Sequence, residues 1–245
     1  MKIIGIVPAR FGSTRFPGKP LVDINGKSMI QRVYEQCMKA SRLHKLLIAT
    51  DDERILNHVN EFGGEAIITS PQHISGTDRC AEVIEKAGID KWNVVINIQG
   101  DEPFIHPEQI DLLCSTFDEQ ETQLATLVKK ITSVDELFNH NNVKVILNKR
   151  REAVYFSRTP VPYNRNFPDH DWLKYSTYYK HIGIYGYRAS TLLEVSRLAK
   201  TNLEITESLE QLRWIENGYT IRAEITSFES ISIDTPDDLI KVKTS

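Results

Sequence analysis

Apolar and polar positions alternate between two periods along the first half of the chain. Ile3 to Val7 is an uninterrupted non-polar run, the pattern of a strand buried on both faces. Ser28 to Ala40 then places Met29, Ile30, Val33, Tyr34, Cys37 and Met38 at helical spacing, with Ser28 as N-cap. A second strand, Leu46 to Ala49, ends at Thr50-Asp51-Asp52, where another helix can start. A short strand at Ala66 to Thr69 precedes the loop SPQHISGTD and a helix from about Asp78 to Lys86. Val94 to Ile98 is a further buried strand that runs into QGDEP, and Pro107 to Phe117 is a helix with proline in its first turn. Strand and helix units in this succession imply right-handed crossovers and a mostly parallel sheet with helices on both faces. Such sheets bind ligands outside the carboxyl ends of their strands, so the loops starting at Pro8, Thr50, Ser70 and Gln99 are expected on one rim.

Beyond about residue 120 the pattern turns antiparallel. Leu124 to Ile131, Val143 to Leu147, Ala153 to Ser157 and His181 to Tyr187 read as strands, interrupted by the polar, aromatic segment YNRNFPDHDWLKYSTYYK. A helix at Glu207 to Glu216, a strand near Ile221 to Ile225 and a short strand ESISID before TPDDLIKV complete the pattern. No Gly/Ser linker divides the chain. The expectation is one domain over residues 1–245, with about 150–190 forming a β-rich extension for subunit contact or a lid.

Composition narrows the function class. Among 245 residues, 30 basic and 33 acidic side chains leave a net charge of −3, which argues against a general affinity for nucleic acid or anionic membrane. Three scattered cysteines, Cys37, Cys80 and Cys114, read as reduced, buried thiols of a cytosolic protein. The opening apolar run is too short for a secretory signal, and no run approaches the ~20 residues of a membrane-spanning helix. A cytoplasmic protein without membrane insertion is expected.

The first loop, PARFGSTRFPGKPL, concentrates Arg10, Arg15 and Lys19 at the end of the first strand. It is not a P-loop: G-x-x-x-x-G-K-[ST] ending at Gly18-Lys19 needs glycine where Ser13 stands and a hydroxyl where Pro20 stands. The dinucleotide fingerprint G-x-G-x-x-G is absent as well. The loop still suits a polyphosphate, because charge-assisted hydrogen bonds are strong and Gly12, Ser13 and Thr14 can aim backbone amides at phosphate oxygens. A solvated basic loop is the competing reading; the position on a strand's carboxyl end, flanked by Gly12 and Gly18, favours the anion site.

That loop, with SGTDR (Ser75–Arg79), NIQGDEP (Asn97–Pro103), YFSR (Tyr155–Arg158), HIGIYGYR (His181–Arg188), LEQLR (Leu209–Arg213) and DTPDDL (Asp234–Leu239), resembles the 3-deoxy-manno-octulosonate cytidylyltransferases, the CMP-Kdo synthetases of lipopolysaccharide synthesis. The resemblance covers nearly the whole chain in order. It implies a three-layer α/β/α nucleotide-diphospho-sugar transferase fold, usually homodimeric, that uses Mg²⁺. The implied reaction transfers CMP from CTP to the anomeric 2-hydroxyl of an eight-carbon acid sugar, by direct attack on the α-phosphorus. Departures from the family pattern are His140 and Asn142 in FNHNNVKV, and Ser232 where glycine is frequent.

Carried onto this chain, the resemblance assigns Arg10, Arg15 and Lys19 to the triphosphate, with Arg10 and Lys19 the pair that matters for turnover. Backbone at Pro8 and Ala9 faces the cytosine, and Ser75, Gly76, Arg79 and Gln99 complete the nucleotide pocket. Asp101 and Asp234 leave strand ends as catalytic Mg²⁺ ligands, two hard oxygen donors beside phosphate. D-T-P-D-D is equally a helix-capping signature, so a cap role for Asp234 stands beside the metal role. Arg158 suits the sugar carboxylate as a bidentate fork, and Gln99, His181, Tyr185, Glu210 and Gln211 are implied partners of the sugar. Unaided, His181 and Tyr185 read as half-buried strand residues and Glu210 as part of a solvated helix face. Rival functions are CMP activation of an 8-amino-Kdo or sialic-type acid, a nicotinamide-dependent oxidoreductase, and a non-catalytic nucleotide sensor.

Overall fold

The computed structural model describes residues 1–12, 16–229 and 232–243. In chain order the elements are β1 (Ile3–Ala9), β2 (Asp23–Ile24), β3 (Lys27–Ser28), α1 (Met29–Cys37), β4 (Lys45–Thr50), α2 (Glu53–Glu61), β5 (Ala66–Ile68), α3 (Gly76–Ala87), β6 (Val94–Asn97) and α4 (Pro107–Ser115). There follow β7 (Leu124–Lys130), α5 (Val134–Phe138), β8 (Lys144–Leu147), β9 (Ala153–Ser157), α6 (Trp172–Tyr175), β10 (Tyr179–Arg188), α7 (Ala189–Val195), α8 (Asn202–Glu207), α9 (Gln211–Glu216), β11 (Ile221–Ile225) and α10 (Pro236–Lys243).

Seven strands form one path in the order β11-β7-β10-β6-β1-β4-β5, and β8 with β9 branches from β10. β1 pairs parallel with both β4 and β6, β4 with β5, and β11 with β7; β10 runs antiparallel between β6 and β7. Alternate residues of β1 feed opposite faces. Ile3 and Val7 join the cluster under α1 and α4, whereas Ile4 and Ile6 join the one under α3, α7 and α9. A strand buried on both faces therefore divides two hydrophobic cores, the three-layer arrangement its continuous apolar run implies.

Local capping chemistry sets the helix starts. Ser28 accepts a hydrogen bond from Gln31 N at 3.2 Å, and Asp52 caps α2 through Arg54 N at 2.9 Å. Ser75 and Asp78 form a reciprocal capping box, so α3 begins at Gly76, two residues ahead of the expected start. All three cysteines are free and buried, and burial pushes the Cys114 thiol up to about 12. Among the described residues no helix is long and apolar enough to cross a membrane.

Four details differ from the sequence reading. The helix expected over Glu207 to Glu216 starts later, as α9 at Gln211, because Glu207 ends a separate α8 where Ser208 adopts a left-handed φ of 53°. ESISID spans Ser230 and Ile231, which lie outside the described residues, and Ser232 to Asp234 is irregular rather than strand. Within the expected extension over about 150–190, β9 and β10 are its strands, and the segment between them carries none. It is mostly irregular, built around Trp172 and Tyr178, which pack with Ile131 and Leu137, and a Phe167–Tyr175 stack with ring centroids 3.6 Å apart. The β2–β3 hairpin turns at Asn25-Gly26, both at positive φ, a turn signal present in VDINGKS and passed over.

Candidate active site

The chain runs from β1 to β4 and β5 on one side, then returns to place β6 on the other. The loops that leave β1 and β6 therefore part from each other, and a crevice opens where the strand order reverses. A cavity of about 310 Å³ occupies that position. The ends of β1 (Pro8, Ala9, Arg10), the start of α3 (Ser75, Gly76) and the turn after β6 (Gln99, Gly100, Asp101) line it. Three of the four expected rim loops thus meet there. The fourth contributes from behind: Asp51 accepts from Arg79 Nη2 at 2.9 Å.

Lys19 organises the mouth. Gly18, at φ 72°, turns the chain into a short 3-10 segment that carries Lys19 inward. Its Nζ donates to Asp101 Oδ2 at 2.7 Å and to Asp234 Oδ1 at 3.3 Å. The turn bearing Asp101 passes so close to β1 that a Cβ on Gly100 would lie 2.7 Å from the Pro8 carbonyl oxygen. Asp234 arrives from the far end of the chain, fastened by Ile233 N donating to Asp101 O at 3.0 Å. The cap role falls to its neighbour. Thr235 Oγ1 accepts from Asp238 N at 3.3 Å and donates to Asp238 Oδ2 at 2.8 Å, so the Asp234 carboxylate is left facing the cavity.

A second cavity of about 390 Å³ adjoins the first and shares Gln99, Asp101 and Asp234 with it. Beyond that shared wall it is lined by His181, Gly183, Asn142 and Lys180. Lys180 is held by ion pairs to Glu136 and Glu229, so its charge is already met within the wall. Gln99 Nε2 donates to Gly183 O at 2.8 Å, fixing the side chain that separates the two spaces.

Of the other expected site residues, Tyr185 and Glu210 line the first cavity. Burial raises the pKa of both groups. The Tyr185 hydroxyl and Glu210 Oε1 are buried without a hydrogen-bond partner, although Arg213 Nη2 stands 3.6 Å from the latter. Asn97 Oδ1 is likewise buried and unpartnered on the same floor. Sequence reading missed Asn97; the signal was a polar side chain ending the apolar strand VVIN. Arg79 is fully buried and committed to Asp51 and Thr69, so it shapes the wall rather than offering a free charge.

Arg158 and Gln211 line neither cavity. The Arg158 guanidinium instead donates to Glu207 O at 2.8 Å and Ser208 O at 3.3 Å at the carbonyl end of α8, and to His140 O at 3.4 Å. In this arrangement its donors point to backbone carbonyls, two of them exposed and at 3.3–3.4 Å. Gly12 is exposed and outside both linings, and Ser13, Thr14 and Arg15 lie outside the described residues.

Comparison with known proteins gives this crevice its family. The profile described as Cytidylyltransferase matches residues 4–231. The 3-deoxy-manno-octulosonate cytidylyltransferase of Parabacteroides distasonis is 56% identical over 245 residues, covering 98% of this chain and 96% of the relative. The chain belongs to the 3-deoxy-manno-octulosonate cytidylyltransferase family. The Bacteroides thetaiotaomicron member is 54% identical over 243 residues, covering 98% of this chain and 96% of its own length. A solved structure of CMP:2-keto-3-deoxy-manno-octonic acid synthetase complexed with CTP superposes with a TM-score of 0.92 at 41% identity, covering 100% of this chain and 98% of that one. A Leptospira borgpetersenii cytidylyltransferase, at 14% identity and a TM-score of 0.64, shares the fold and covers 100% of this chain and 86% of its own. The crevice at the strand reversal, outside the carboxyl ends of β1 and β6, is the position where open α/β sheets bind ligands.

Proposed function

We propose that the chain transfers a cytidylyl group from CTP to the anomeric 2-hydroxyl of 3-deoxy-D-manno-octulosonate (Kdo). The products are pyrophosphate and CMP-Kdo, for lipopolysaccharide biosynthesis. The observation that carries the reading is Lys19 Nζ set between Asp101 and Asp234, on the wall common to two adjoining cavities. One space suits a nucleotide and the other a polyol acid, so the atoms that exchange partners would meet at that wall. The first cavity supplies the β1 backbone at Pro8 and Ala9, the α3 N-terminus capped by Ser75, and Arg10 at the mouth.

The reaction is a displacement at phosphorus. The sugar oxygen bonds to the α-phosphorus, the bond from that phosphorus to the β-phosphate bridging oxygen breaks, and the hydroxyl proton passes to solvent. Charge grows on the departing pyrophosphate, where Lys19 and Arg10 can answer it. Catalysis of this kind rests on positioning and electrostatics more than on covalent help. Ser75 is engaged as an N-cap and the three cysteines are buried, which agrees with direct attack.

Asp101 and Asp234 fit a Mg²⁺ ion. Two hard carboxylate oxygens already converge on one cationic group, and phosphate oxygens and water can complete the six positions this ion requires. When bound, Mg²⁺ would neutralise triphosphate charge and hold the nucleotide against the two carboxylates. We also read the segment between β9 and β10 as the subunit contact of a homodimer, because it exposes Tyr163 and Tyr175 beside the buried Trp172. Sedimentation of Tyr175→Asp should then show monomer. We read the working protein as cytoplasmic, a reading that use of CTP supports.

The deciding assay is pyrophosphate release from CTP and Kdo with Mg²⁺, run against UTP, 8-amino-Kdo and a sialic-type acid. Release that is fastest with CTP and Kdo supports the reading. Equal rates with UTP, or a preference for either other acid, would overturn it.

A further inference from the structure

β10 carries an irregularity beside the second cavity. Its pairing with β7 passes from Ile182↔Leu127 to Tyr185↔Thr126, so Gly183 and Ile184 bulge out of register. Thr126 is fully buried opposite that bulge. Its Oγ1 lies 2.7 Å from Ile184 O, 3.3 Å from Ile182 O and 2.9 Å from His181 Nε2.

One hydroxyl has one proton to give, and neither carbonyl has any. The proton therefore goes to a carbonyl, with Ile184 O the nearest acceptor. The Thr126 oxygen is then left as an acceptor toward the ring, and His181 must be the donor, from Nε2–H. Burial holds the imidazole neutral, with its pKa pushed down to about 3. A neutral ring with its proton on Nε2 has a bare lone pair on Nδ1. Among the described residues that nitrogen has no hydrogen-bond partner, and His181 lines the second cavity. The ring is steered by its neighbours as well: Phe156 stands edge-on at 5.4 Å between centroids, and Tyr185 lies tilted at 5.0 Å.

We propose that Thr126 is a positioning residue which, through the His181 Nε2–H bond, fixes Nδ1 as a hydrogen-bond acceptor for a hydroxyl of the acid sugar. The inference rests on the function proposed above, in which the second cavity takes the sugar. It makes the site selective for a donor at that point. A bulge carbonyl and a buried threonine thereby determine which way a substrate hydroxyl must point.

The test uses the full chain labelled with ¹⁵N-histidine, with the His181 signals assigned by their loss in His181→Asn. Two-bond ¹H–¹⁵N correlations read the tautomer directly. The wild type should show Nε2–H, and Thr126→Val, which removes the acceptor, should shift His181 toward Nδ1–H. In steady-state assays Thr126→Val should raise the KM for Kdo about tenfold while the KM for CTP moves less than about twofold. Thr126→Ser should restore both the tautomer and the KM. An Nδ1–H ring in the wild type would overturn the proposal, even if Thr126→Val does not fold. So would a Thr126→Val protein with unchanged KM for Kdo, or a failed rescue by serine. An Nε2–H ring in a protein that does not turn over Kdo would overturn the sugar assignment, and there the failure would belong to the proposed function rather than to the tautomer.

Discussion

Replacing Lys19 by methionine should move two observables in opposite directions. The substitution keeps most of the stem and removes the ammonium that stands between Asp101 and Asp234. The contact with Asp101 is short at 2.7 Å and only 14% and 23% of the two side chains is exposed, so it is a charge-assisted bond in a sheltered place. Such a bond contributes about 1.5–3 kcal/mol. The Asp234 contact is longer, at 3.3 Å, and its carboxylate is 36% exposed, so about 0.2–1 kcal/mol is the appropriate scale. A divalent cation binding these carboxylates in the free protein must displace the ammonium from both. Without the ammonium, apparent affinity should rise by up to the sum, about 2–4 kcal/mol, and at least roughly tenfold after the side chain's freedom to swing aside is allowed for. Turnover should fall, by about 10²–10³ in kcat, because the departing pyrophosphate loses a positioned cation. Mn²⁺ binding followed by electron paramagnetic resonance reads the first effect, and pyrophosphate release reads the second. Unchanged or weaker Mn²⁺ binding in Lys19→Met would refute the reasoning that the ion and the lysine compete for one pair of carboxylates.

Arg158→Ala should lower stability by about 2–3 kcal/mol, read as a lower urea midpoint, because two carbonyl contacts at the end of α8 and one to His140 O are lost; a raised KM for Kdo with an unchanged midpoint would instead assign Arg158 to the sugar. Gly100→Ala should cost about 1–3 kcal/mol and reduce kcat/KM, since the new methyl meets the Pro8 carbonyl oxygen at 2.7 Å and must push the Asp101 turn aside. Against the effect of burial, which raises its pKa, hydrogen bonds from Lys86, the Ser70 N–H and His73 pull Glu82 down from 4.5 to about 2. A carboxylate lowered on folding stabilises above its unfolded pKa and loses that contribution as pH falls through the folded one, so the window runs from about pH 4.5 down to about 2. After discounting for solvent screening, Glu82→Gln should cost about 1–2 kcal/mol at pH 7 in urea melts, a difference from wild type that shrinks toward zero near pH 2.

Local signals made most of the framework legible. The period of apolar positions located β1, β4, β6, α1 and α4, and hydroxyl or carboxylate caps at Ser28 and Asp52 marked helix starts. Parallel pairing of β1, β4, β5 and β6 then required their carboxyl ends to share a rim, and the cavity lies there. The α7 helix was invisible because no side-chain cap announces it after the apolar strand β10. For Arg158 the motif says which group it is, not which acceptors compete for it.

What the amino-acid order determined by itself is therefore the succession of strands and helices, their caps, and the concentration of cations in the first loop. Those features depend on neighbours within a few positions, where hydrogen-bonding options are few. The tertiary structure alone decided which carboxylates face Lys19, which residue caps α10, which carbonyls Arg158 meets, and that His181 stands against Thr126. Lys19 meets partners 82 and 215 positions away, and His181 meets Thr126 across 55. The outcome at each of those atoms is a competition among donors and acceptors that only folding brings within reach, so no short stretch of chain contains the answer.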